Sequence, residues 1–121
     1  MVWRVEFHPA FLEEFEAFSE GIQDSILAKS LVLGKYGPQL GRPHVDTLTG
    51  SAHANMKELR LDADDGVWRV AFAFDPDRKA ILLVAGDKAG KDQKRFYKQL
   101  IKIADRRFNE HLTELEKQKK K

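Results

Sequence analysis

Cysteine is missing altogether from the 121 residues. Neither disulfides nor thiolate metal ligands are therefore available, which fits a reducing cytoplasm. No apolar run approaches the length that crosses a bilayer, and the opening MVWRVEF lacks the basic-then-apolar layout of a secretory signal. A cytoplasmic chain with no membrane partner is the expectation. A phosphate-cradling P-loop, a dinucleotide glycine fingerprint and an HExxH pair are all absent. His8, His44, His53 and His111 are scattered without ligand spacing, so no metal and no other cofactor is expected.

With 42% hydrophobic residues, a chain of this length can bury one core but hardly two. A single domain is expected over residues 1–115, followed by a basic tail, 116–121, that has nothing apolar to bury and frays. The net charge of +2 hides a gradient. Residues 1–30 carry two basic against six acidic side chains, 31–77 five against seven, and 78–121 fourteen against six. The basic third suits a phosphate-rich partner, or an acidic protein laid along the last helix. The same lysines and arginines also serve simply to solvate that helix.

The centre of the chain is MKELRLDADDGVWRVAFAFDPDRKAILLVAGDK, residues 56–88. Its runs MKELRL, VWRVAFAF and AILLVAG are rich in β-branched, aromatic and aliphatic residues and bounded by Asp/Gly and Asp/Pro turns, the signature of a three-strand meander. Period-two alternation places Trp68, Val70, Phe72 and Phe74 on one face with Leu59, Leu61 and Lys57. It places Arg69, Ala71 and Ala73 on the other, with Met56, Glu58 and Arg60. Two alanines are too small to cover these charges, which predicts a shallow, solvent-facing charged concavity.

Ahead of the meander, VWRVEF alternates as a half-buried strand and joins the sheet. Pro9 suits a first helical turn. Phe11, Leu12, Phe15 and Phe18 follow at helical spacing, and Gly21 is expected to end or kink that helix. A second helix spans about Ile22 to Lys35, closed by Gly34, Gly37 and Pro38. YGPQLGRPHVDTLTGSAHAN reads as irregular. After GDKAGKDQKRF a long amphipathic helix keeps Tyr97, Ile101, Ala104, Phe108 and Leu115 on a seam. The order is β-α-α-β-β-β-α, an α+β fold with a mainly antiparallel three- to four-stranded sheet, an N-terminal helical hairpin and a C-terminal helix.

That order, the string LGRPHVDTL followed seven residues later by MKELR, and the stretches VWRVAFAFDP and ILLVAGDKAGK together resemble the RelE/ParE toxin superfamily. The nearest likeness is to its HigB-like, phage-derived branch, over residues 2–108. The resemblance implies the toxin of a type II toxin–antitoxin pair, partnered by a helix-turn-helix antitoxin in a hetero-oligomer. RelE and HigB members cut mRNA in the ribosomal A site, needing no metal. ParE members inhibit gyrase without a nuclease site, and a relative reduced to antitoxin binding is a further alternative; fold alone does not separate them.

By resemblance, Arg69 stands where the nucleases keep an arginine against the scissile phosphate, and Arg60 adds a second contact. Glu58 falls where some members have lysine, and as a carboxylate it can take the proton of the ribose 2′-OH. Lys88 and Lys91 follow the third strand, where the family stabilises charge or protonates the leaving 5′-oxygen. Lys94 and Arg95 extend that basic run toward RNA. Lys57 belongs to the opposite face unless a bulge near Asn55 brings it round. Tyr97 either stacks on a base or fills the helical seam. His53 is either a general base or a solvated loop residue. Glu58, Arg60 and Arg69 are either chemistry or cross-strand ion pairs.

Overall fold

The computed structural model describes residues 2–120. In chain order the elements are β1 (Arg4–Phe7), α1 (Pro9–Glu16), α2 (Glu20–Tyr36), a short 3-10 turn (Gly37–Gln39), β2 (Val45–Thr47), β3 (Lys57–Ala63), β4 (Gly66–Phe74), β5 (Lys79–Asp87) and α3 (Gln93–Lys119). The sheet order is β1-β5-β4-β3-β2, parallel only between β1 and β5. The α+β fold stands as read from the sequence, with five strands in place of three or four. β2 is the addition. Three residues inside a Gly- and Pro-rich stretch give no readable alternation, and β2 exists through its pairing with β3.

Asp64 and Asp65 take φ of 50° and 62°, the positive pair that a tight two-residue hairpin requires, and fold β3 onto β4. The Ser19 hydroxyl donates to the Asp64 carboxylate while its oxygen accepts from the Ile22 amide as N-cap of α2. The hairpin tip is thereby tied to the α1–α2 corner. Gly21 neither ends nor kinks α1, which already stops at Glu16; it lies in the first turn of α2, where a Cβ would run into the Asp64 carboxylate. Gly37, at φ 61°, closes α2 against the Trp3 indole.

The sheet carries a core on each face. On the α1–α2 side Phe11, Ile26, Leu33, Leu59, Val70 and Phe72 are buried together. On the α3 side the buried set is Met56, Ala71, Ala73, Leu83, Ala104 and Phe108. The alternation in β3 and β4 is the one expected, but its second face is not open. Ala71 and Ala73 make room for Ala104 and its neighbours, so small side chains here admit a helix and do not leave a hollow. α3 runs on through residues 116–119, the segment expected to fray, and Lys119 Nζ reaches Asp77 at 3.0 Å.

Candidate functional site

Register sets Arg60 of β3 directly opposite Arg69 of β4, two like charges that would repel at that spacing. Glu58, diagonal to Arg69 on the same face, supplies the counter-charge. Its Oε1 is 3.6 Å from Arg69 Nε and its Oε2 3.9 Å from Arg60 Nε. The Tyr97 hydroxyl donates to Oε1 at 2.8 Å from the first turns of α3. Burial, then the Glu58 carboxylate, pushes the Tyr97 phenol above its ordinary value, so it remains a protonated donor.

The expected solvent-facing concavity is corrected by this geometry. Glu58 and Arg69 are only 5% and 6% exposed, under the N-terminal part of α3, while the Arg60 side chain remains 33% exposed and forms the open side. Arg69 donates from Nη1 to the Trp68 carbonyl at 2.9 Å. Its buried Nε, among the described residues, has no hydrogen-bond acceptor. A charged donor without a hydrogen-bond acceptor, sharing one carboxylate with a second guanidinium, is an arrangement that an anion would complete.

Lys88 joins the cluster: its Nζ lies 5.7 Å over the Tyr97 ring and donates to Gln93 Oε1 at 3.4 Å. Lys91 sits 5.9 Å over the adjoining Phe96 ring, and Lys94 and Arg95 are exposed on the first turn of α3. Lys57 stays off the cluster. β3 keeps an unbroken register through it, and the sheet's irregularity lies between Ala71 and Phe72 in the β4–β5 pairing, not near Asn55. His53 is also elsewhere, bonded to Asn109 at 2.8 Å and edge-on to Phe108, three turns and about 18 Å along α3 from Tyr97. Tyr97 takes the seam position, half-buried, and its hydroxyl reaches the cluster.

Two features escaped the sequence reading. Gly86, in register with Arg69, lies under the Phe96 ring, and a glycine inside a strand was the signal for such close approach. Arg107, buried on α3, donates twice to Glu14 at 2.8 and 2.7 Å and once to the Leu83 carbonyl at 2.8 Å. Only the tertiary fold joins residues 93 positions apart. Among the described residues no group of three or more His, Cys, Asp or Glu side chains is placed to hold a metal ion. Among the described residues no helix is long and apolar enough to cross a membrane.

A profile of the phage-derived Gp49-like family matches residues 13–109. The chain belongs to that family. Among relatives of this Gp49-like protein, a candidate toxin HigB2 from Mycobacterium tuberculosis is 44% identical over 93% of the chain, and a candidate toxin HigB3 from the same organism is 47% identical over 77%. The chain spans 58% of the length of HigB2 and 79% of HigB3. These relatives make the chain HigB-like. Solved structures share the fold: a free Escherichia coli RelE double mutant superposes with a TM-score of 0.61 at 11% identity, covering 88% of this chain and 98% of that one. A Pyrococcus horikoshii RelE in complex with RelB gives 0.54 at 18% identity, covering 74% and 99%.

Proposed function

We propose that this Gp49-like protein is the toxin of a type II toxin–antitoxin pair and acts by cutting mRNA on the ribosome without a metal. The observation that carries the reading is the buried Arg69 Nε, ion-paired with Glu58 but without a hydrogen-bond acceptor, opposite Arg60. One carboxylate between two guanidinium groups leaves one positive charge in excess, matched to a phosphodiester. Oε2 of Glu58, the oxygen not held by Tyr97, takes the ribose 2′-OH proton. The 2′-oxygen attacks the adjacent phosphorus, Arg60 and Arg69 stabilise the added charge, and the 5′-oxygen leaves with a proton from Lys88. A 2′,3′-cyclic phosphate and a 5′-hydroxyl result. The kinship with HigB-named relatives, and the RelB seen on the archaeal neighbour, support an antitoxin as the resting partner.

A second reading has an observation of its own. Arg69 is buried and committed within the fold to the Glu58 carboxylate and the Trp68 carbonyl, as a structural ion pair would be, which favours a ParE-like inhibitor that binds gyrase and cuts nothing. Arg60→Ala separates the two, because Arg60 is open enough to be lost without unfolding the sheet. Under the cleavage reading, primer extension on mRNA from expressing cells shows cuts that fall on the order of 100-fold in the variant, together with growth inhibition. Growth inhibition that persists in the folded variant without cuts sinks the nuclease. Normal growth on the unsubstituted protein marks a relative kept only for antitoxin binding.

A further inference from the structure

β1 ends at Phe7, opposite Leu82, so among the described residues the far half of β5 has no strand on its outer side. A cleft of about 410 Å³ opens there between Val84–Gly86 and the first turns of α3, within the roughly 300–1,000 Å³ usual for small-ligand sites. Its walls are apolar, from Val84, Phe96, Leu100 and Ile103, and its mouth carries Lys91 and Arg95. Asp92 also lines it, with one carboxylate oxygen committed to capping the Arg95 amide.

We propose that this cleft receives one unpaired nucleobase of a single-stranded RNA and so selects the base beside the cut. The proposal rests on the cleavage reading above and names the part of its substrate that the phosphate cluster does not touch. A flat apolar slot under two cations fits a base carried on a phosphate chain, because stacking supplies the contact and the cations follow the backbone. An acidic peptide would have no use for the aromatic wall, and a lipid would need a wider apolar surface. The position agrees. Gly86 is the register partner of Arg69, so the cleft begins one strand, about 4.8 Å, from the Arg69 backbone. Phe96 and Tyr97 meet edge to face at 5.2 Å between the two sites, each with a lysine above it. A strand held at Arg60 and Arg69 crosses these rings beneath Lys88 and Lys91 and turns its next base into the cleft. Gln99 at the rim offers an amide that can read a base edge.

The test is an amide NMR titration of the whole protein with an uncleavable 2′-O-methyl RNA trinucleotide and with the same trinucleotide lacking one base. The intact strand is expected to bind about tenfold more tightly and to move the Gly86, Phe96 and Ile103 signals. Phe96→Leu, which removes the stacking face, and Ile103→Trp, which fills the cleft from its far end, should each erase that difference. Equal affinity for the two strands overturns the base slot while leaving the Arg60 test of cleavage intact. A difference that survives in both variants also overturns it. Failure of both strands to bind at all overturns the slot and leaves cleavage on the ribosome to the Arg60 test.

Discussion

Arg107 shows how one side chain ties three elements together. From α3 it reaches the Glu14 carboxylate on α1 and the Leu83 carbonyl on β5, and it is itself buried. Its guanidinium, through the hydrogen bond first and charge second, holds Glu14 below the ordinary carboxylate value of 4.5 against the opposing effect of burial. Arg107→Ala strands a buried carbonyl and should cost about 2 kcal/mol, a fall in Tm on the order of 8 °C. The pH dependence has a definite sign. A lowered folded pKa contributes stability above the unfolded value and loses it as pH drops through the folded one. The Tm gap between native protein and variant should therefore be full at neutral pH and narrow below about pH 4.5. Two melting series against pH check this, and a gap that is flat with pH refutes it.

At the scale of elements, α1 is started by a histidine. His8 Nδ1 accepts the Ala10 amide at 3.1 Å, which requires that nitrogen to be unprotonated, and Nε2 then faces Glu110 at 3.1 Å. Burial lowers the His8 pKa below 6.5 despite the pull of Glu110, with Arg107 adding to the lowering. The cap therefore contributes fully above pH 6.5 and is lost as pH falls through the depressed value. His8→Asn keeps a cap that cannot titrate. Its Tm should hold better than that of the native chain as pH falls below 6.5, and parallel curves would count against the cap. Element by element the sequence was informative where periodicity was strong. The meander, the N-terminal strand and the long last helix were all legible, since their alternation and seams follow from burial alone. β2 and the place of Gly21 were not, because each depends on a partner distant in the chain.

For the molecule as a whole, the basic third is the helix that lies over the candidate site. Lys88 and Lys91, just ahead of that helix, lie over Tyr97 and Phe96, whereas Lys119 lies at the opposite end of α3, against Asp77. Lys119–Asp77 is an exposed pair, worth less than about 1 kcal/mol. Ending the chain after Leu115 should leave Tm within about 4 °C and leave the mRNA cuts unchanged, as thermal melts and primer extension would show. A large loss of stability would mean that the last turn holds α3 down.

The sequence by itself determined which side chains share a face. Glu58, Arg60 and Arg69 could be grouped from a period of two, because alternation in a strand is local geometry. Kinship was legible for the same reason, through short strings that need no folding to compare. Only the tertiary structure decided what lies over that face. By local pattern Ala71 and Ala73 leave charge uncovered, yet small side chains are also what a docking helix needs, and local pattern cannot tell a vacancy from a seat. The long helix took the seat, buried Glu58 and Arg69, brought the Tyr97 hydroxyl to the carboxylate, and left Arg60 as the open side.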